Sequence, residues 1–250
     1  MDLWIENLVE PERLVLAWQA PDAVPDRSRW AVGELARRGA GVAFRYYAGQ
    51  EFEQMNGART EASIQAAGFL GYPAFRWTPG EATVFDSGAL DAFLRRVPSQ
   101  SRSDFPQYLE GFRLRPRRDV PPMALLGATG AALPGDGFSL VDPLAPEAMA
   151  QDVLLEVMGR RYHAAAAPLR LGDALELVPA PGEGGDPHAV AVRSAGALAG
   201  YVNRLQSRSV TQWLATRAVR AWVAKVNGAA GKPRAHMLVA MRQRALAPAA

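Results

Sequence analysis

Between residues 153 and 241 six short apolar runs alternate with turn signals, and one helical segment interrupts them. The runs are 153–163, 174–179, 189–193, 197–202, 219–226 and 235–241. The helical segment is 204–216, with Leu205, Val210, Trp213 and Leu214 at helical spacing. Closing such a sheet on itself would remove its exposed edges. The pattern therefore predicts a six-stranded, OB- or SH3-like β-barrel with one inserted helix. Within 219–226, Val219, Ala221, Val223 and Lys225 alternate against Arg220, Trp222, Ala224 and Val226, and Asn227-Gly228 predicts the turn that ends the strand.

The preceding part reads as α+β, an antiparallel β-meander with helices. Strand-like runs occur at 13–18, from Trp30 through Leu35, and at 42–47, with a turn at Arg38-Gly39-Ala40-Gly41. Helical composition marks 60–67, 89–96, 104–112 and 122–126; Ser87 is the expected N-cap for Leu90, Phe93 and Leu94. Residues 129–147 are rich in Gly, Pro and Ala and hold one strand-like stretch, 138–141. That places a domain boundary near residue 145, giving an α+β domain at 1–145 and the barrel at 146–250.

With 49% hydrophobic and 21% charged residues in 250, the chain is not a disordered one. It has no cysteine, which excludes disulfides, thiolate metal sites and a cysteine nucleophile. No apolar run is long enough to cross a bilayer, and the N-terminus is acidic where a signal peptide is basic, so a cytoplasmic protein without a membrane partner is expected. The net charge is only +3, yet just two of the 28 Lys/Arg residues, Lys225 and Lys232, are lysines. GC-rich coding accounts for much of that bias. The charge is also uneven: from Gln206 onward there are eight Lys/Arg and no Asp or Glu, which suits a polyanionic partner.

The signatures of catalysis are missing. There is no G-x-S-x-G, and Gly127-Ala128-Thr129-Gly130 lacks the Gly-Lys-Ser/Thr of a phosphate-binding loop. His163, Asp173, Asp186 and His188 do not have metal-ligand spacing. A magnesium-dependent nuclease would have to gather Asp173, Glu176, Glu183 and Asp186. The expectation is therefore a non-enzyme with no catalytic residue, no cofactor and no metal. One constellation stands out. Arg160, Arg161, Tyr162 and His163 end the first barrel strand, Tyr201 and Arg204 bracket the start of the helix, and Arg220, Trp222 and Lys225 lie on the next strand. Single-strand binders combine cations for phosphates with flat rings for bases. By composition alone, core aromatics with a solvated arginine rim would read the same.

From about Leu154 to Arg242 the chain resembles the HIRAN domain of Rad5-type DNA-remodelling helicases and stand-alone bacterial proteins. The resemblance is carried by Val157-Met158-Gly159-Arg160-Arg161-Tyr162-His163, Leu171-Gly172-Asp173-Ala174-Leu175-Glu176-Leu177-Val178, Asp186-Pro187-His188-Ala189-Val190-Ala191-Val192, Ala199-Gly200-Tyr201-Val202 and Ala221-Trp222-Val223-Ala224-Lys225-Val226. It implies a modified OB-like barrel that captures DNA, especially a single strand with a free 3′ hydroxyl, in settings such as DNA repair or phage defence. It further implies that Arg161 and Tyr162 contact DNA, that Asp186 reads the terminal hydroxyl, that Arg204 contacts phosphate and that Tyr201 fills the neighbouring aromatic position. Two positions depart from the family pattern: Gly185 replaces an aromatic or histidine, and His188 replaces an asparagine.

The first part, about Leu14 to Leu144, resembles the small N-terminal subdomain of HipA-type toxin kinases through Trp30-Ala31-Val32-Gly33-Glu34-Leu35, Val42-Ala43-Phe44-Arg45-Tyr46-Tyr47 and the helix near Phe93, but lacks the kinase motifs. That implies a partner-binding or regulatory module. The competing readings are a protein-interaction module of a toxin–antitoxin or phage-defence system that does not bind DNA, and a metal-dependent nuclease.

Overall fold

The structure is a computed structural model and describes residues 3–21, 24, 29–117, 119–164, 168–229 and 232–244. It is mixed α and β, with antiparallel sheets of five and six strands and few helices. Among the described residues no helix is long and apolar enough to cross a membrane. The chain folds as two compact units, both discontinuous in sequence. One comprises Glu10–Phe105 and Arg118–Pro143; the other comprises Met1–Val9, Pro106–Arg117 and Leu144–Ala250.

The first unit is built on β1 (Arg13–Gln19), β2 (Arg29–Arg38), β3 (Gly41–Tyr46), β4 (Val84–Phe85) and β5 (Phe138–Val141), in the order β4-β3-β2-β1-β5. The stretch at 138–141 is thus a strand of this sheet, paired with β1. Helices α1 (Gly49–Asn56), α2 (Glu61–Ala66), α3 (Ala89–Leu94) and α5 (Pro122–Thr129) accompany it, and α4 (Phe105–Glu110) starts where the chain leaves the unit. Its core is aromatic: the Phe44 ring lies 4.8 Å from Tyr46, 5.0 Å from Phe75 and 5.5 Å from Phe93. Tyr46 is the polar pin of that cluster. Its hydroxyl donates to the Phe75 carbonyl at 2.7 Å and accepts from the Tyr72 N–H at 2.8 Å, and burial pushes its pKa up to about 12.

Two local expectations change here. The N-cap of α3 is Gly88, in the left-handed region at φ 68°, with no side-chain cap, and not Ser87. Helix α1, which had no strong apolar stripe to announce it, supplies Asn56 to β2. Buried Asn56 accepts from the Ala31 N–H at 2.9 Å and donates to the Ala31 carbonyl at 2.9 Å, standing in for a strand partner beyond the end of β3. Asn56→Ala is expected to destabilise this unit by about 2 kcal/mol in chemical denaturation, because it orphans a buried N–H and a carbonyl together.

The second unit contains β6 (Ala150–Glu156), β7 (Ala174–Pro179), β8 (Val190–Ser194), β9 (Ala197–Tyr201), β10 (Arg217–Ala229) and β11 (Lys232–Gln243), with α6 (Arg160–His163) and α7 (Arg204–Thr216). The strand order is β6-β11-β10-β7-β8-β9. Past the end of β6, an antiparallel bridge ties Met158 to Tyr201 of β9, with N–H···O distances of 2.8 and 2.9 Å in the two directions. The segment that follows β6 therefore pairs with β9 at one point. The core gathers Leu155, Val192, Val210, Val223, Met237 and Trp213, whose indole N–H donates to the Ala145 carbonyl at 3.0 Å.

Three sequence expectations are corrected in this unit. The first strand does not run to His163. It ends at Glu156; Gly159 turns the chain at φ 72°, and 160–163 form one helical turn. Asn227-Gly228 is not the turn either, since both residues continue β10 and pair with Arg234 and Pro233. Finally, the alternation across 219–226 is broken by a bulge between Val223 and Lys225. Lys225 pairs with His236 and Trp222 with Leu238, which places Lys225 on the face of Trp222 and not on that of Val223.

Segments remote in sequence complete this unit. Ile5 bridges to Leu114 in parallel. Arg113 donates through Nε to the Ala224 carbonyl at 3.1 Å, and Lys225 Nζ lies 3.5 Å from the Gly111 carbonyl. Asp152, buried in β6, accepts from the Glu6 N–H at 3.0 Å, the Asn7 N–H at 2.9 Å and Arg242 Nη1 at 2.5 Å.

Candidate nucleic-acid interface

The site starts from the turn at Gly159. A left-handed glycine stops β6, and the next four residues make a single helical turn whose side chains fan outward and inward. Arg161 and Tyr162 face solvent. Tyr162 is 71% exposed, its hydroxyl accepts from Arg161 Nη2, and the guanidinium lies over its ring at 4.5 Å from the centroid. An exposed cation stacked on an exposed ring offers phosphate and base contacts side by side. Arg160 points the other way. It is 7% exposed, its Nη2 reaches the Ala164 carbonyl at 3.4 Å, Nη1 has no partner among the described residues, and burial lowers its pKa. It shapes the turn from beneath.

β9 supplies the adjoining ring. Tyr201, half-buried, sits against the α6 turn through its bridge to Met158, and its ring centroid lies 6.1 Å from that of His163. Its hydroxyl faces the Glu183 carboxylate. Partial burial first, then the charge of Glu183 and the hydrogen bond to it, raise the phenol pKa. Glu183 belongs to a 3-10 turn, Glu183–Gly185, that connects β7 to β8.

That turn also carries Asp186, and the structure places it inside. Asp186 is 8% exposed; one carboxylate oxygen accepts from the His188 N–H at 2.9 Å and the other from the Ser207 hydroxyl at 2.6 Å. It thus fastens the β7–β8 loop to α7. His188 is exposed, and its carbonyl accepts from Thr211 of α7 at 3.0 Å. Arg204 opens α7 after Asn203, whose side chain caps the helix by accepting from the Leu205 N–H. The Arg204 side chain is exposed on the first turn, and Arg208 follows it one turn later.

Contacts thus link His163 to Tyr201, Tyr201 to Glu183, and Asp186 of the same turn to Ser207 of α7, while Arg161 and Tyr162 share the α6 turn with His163. Trp222 and Lys225 do not share those contacts. They lie on β10, paired with Ala174 and Leu238 for Trp222 and with His236 for Lys225, and the Lys225 amine reaches Gly111. Sequence reasoning grouped them with the site because it lacked the Ala224 bulge and the return of segment 106–117. It also assigned Glu183 only to a possible metal cluster, although its place in a glycine-rich turn beside the aspartate was visible. Among the described residues no three His, Asp or Glu side chains come together as metal ligands.

Fold and site together define a small antiparallel β unit with one inserted helix and an exposed arginine–tyrosine surface. Residues 151–242 match the family model of the HIRAN domain. Two solved structures are similar at low identity. The crystal structure of the HIRAN domain of human HLTF matches at 15% identity over 36% of this chain and 74% of that chain, with a TM-score of 0.31. A protein from Lactobacillus plantarum matches at 20% identity over 37% of this chain and 99% of that chain, with a TM-score of 0.29. No curated protein matches the chain. The family match starts at residue 151 and leaves the first unit outside it.

Proposed function

We propose that this protein is a non-catalytic DNA-binding protein whose HIRAN unit, a barrel-like sheet joined at Met158 and Tyr201, captures single-stranded DNA or frayed DNA ends. The family match fits a DNA-binding role. The observation that carries the reading is the exposed Arg161–Tyr162 pair on the turn that follows the Met158–Tyr201 bridge, with Arg204 exposed at the start of α7. Arg161 and Arg204 take phosphates; Tyr162 and Tyr201 offer faces to bases. The segment from Gln206 onward adds a background of cations without carboxylates.

The test is binding of a 5′-labelled oligothymidylate to the full chain at low salt. Arg161→Ala and Arg204→Ala are each expected to weaken binding roughly fivefold, as loss of one charge-assisted contact does. Tyr162→Ala removes a stacking face that contributes about 1–3 kcal/mol. Lys225→Ala, whose amine is engaged by Gly111, leaves the affinity unchanged. Wild-type affinity in an Arg161→Ala/Arg204→Ala double variant would overturn the proposal.

A further inference from the structure

We infer that helix α7 is a phosphate track. A strand held at Tyr201 and Arg204 continues lengthwise past Arg208 to the guanidinium groups of Arg217 and Arg244, so the site takes about four to six nucleotides of single strand and not a chain end alone. The inference rests on the DNA-binding reading above. Its first ground is charge. No Asp or Glu follows Asp186 in the chain, so α7, β8, β9, β10 and β11 carry no carboxylate. Strands β8 and β10 pack against α7 and bring it none. Asp186 does touch α7, but its oxygens are taken by the Ser207 hydroxyl and the His188 N–H.

The second ground is spacing. Arg204, Arg208 and Gln212 are exposed at i, i+4 and i+8, which puts them on one face, while Ser207, Val210 and Trp213 turn inward. Successive members stand about 6 Å apart along the axis, so neighbouring phosphates of one extended strand can meet them in turn. Two like charges one turn apart do not help a helix. A polyanion lying over them replaces that repulsion with attraction to both.

The third ground is the far end of the helix. Arg217 Nε donates to the Ala148 carbonyl at 3.1 Å, and Arg244 donates through Nε to the Arg217 carbonyl and through Nη2 to the Leu214 carbonyl, both at 3.2 Å. These carbonyls hold the two guanidinium groups in place, but partial charges do not cancel full ones. A guanidinium has five N–H donors, so each keeps some for a phosphate. The 13 residues of α7 set this pair about 20 Å from the Tyr201 end, room for several nucleotides beyond the first.

The experiment measures binding of 5′-labelled oligothymidylates of about 3, 6 and 12 nucleotides to the full chain at low salt. The wild type is expected to bind the middle length at least about tenfold more tightly than the shortest, and to gain from there to the longest only what additional registers supply. Arg208→Ala should weaken the two longer ligands by about threefold to fivefold and make their slope of log K against log salt shallower by about 0.7, with little change for the shortest. Arg244→Gln should act in the same way, and its denaturation midpoint reports any loss of helix capping separately. Equal affinity of the wild type for all three lengths would overturn the inference and leave capture of a chain end standing. So would an undiminished gain with length in a folded Arg208→Glu/Arg244→Gln double variant. Absence of binding at every length would overturn the DNA-binding reading itself, and this inference with it.

Discussion

Gly200→Ala should unfold the second unit at a denaturant midpoint well below that of the wild type, with a loss of about 3 kcal/mol or more. Gly200 lies in β9 at φ 152°, where the strand passes the end of β6. A Cβ there would sit 2.3 Å from the Met158 carbonyl oxygen and 2.7 Å from Val157 Cγ1. Neither atom is the end of a flexible side chain. The carbonyl is itself a member of the bridge, accepting from the Tyr201 N–H at 2.9 Å. Relief of the clash must therefore separate β9 from residues 157–158. That breaks both bridge hydrogen bonds and carries Tyr201 away from the α6 turn. The variant should lose DNA binding together with stability, whereas Gly196→Ala, at a β8–β9 turn position with open space around it, should keep the Met158–Tyr201 bridge. A wild-type midpoint for Gly200→Ala would mean that β9 does not approach β6 as described.

Asp152→Ala should cost about 3 kcal/mol, the range for removing one partner of a buried, hydrogen-bonded ion pair. The loss falls on the junction where residues 6 and 7 join the sheet, because one carboxylate satisfies two backbone N–H groups and Arg242 at once. Burial alone would raise the carboxyl pKa. The bonds from Arg242, Asn7 and Glu6 outweigh it and hold the group below the ordinary aspartate value. A carboxyl depressed in the folded state stabilises fully above its unfolded pKa of about 3.9 and loses that contribution as the pH falls through the folded value. The difference between wild type and Asp152→Ala should accordingly be constant at neutral pH and shrink in acid. A difference that grew below pH of about 4 would contradict the assignment.

The strands of the second unit were legible because each is a short apolar run bounded by turn residues, and α7 because Leu205, Val210 and Trp213 recur at helical spacing. The misreadings share a physical cause. At Gly159 and at the Ala224 bulge one residue changes the backbone direction or the face, and a period-two pattern carries no mark of that. The recruitment of residues 3–9 and 106–117 into the second unit rests on pairings such as Asn7 with Asp152, 145 positions apart, which leave no local signature. The motif that proposed Arg161, Tyr162, Tyr201 and Arg204 was legible, and so was their placement beside Gly159 and at the start of α7. The inward turn of Asp186 was not, since it depends on Ser207, on a different element.

The most direct measurement is the affinity of the full chain for single-stranded DNA across a salt series. If Arg161 and Arg204 each neutralise a phosphate, log K should fall linearly with log salt with a slope of about −1.4 or steeper, and Arg161→Ala should make the slope shallower by about 0.7. No binding at about 50 mM salt, or an affinity indifferent to salt, would contradict the account.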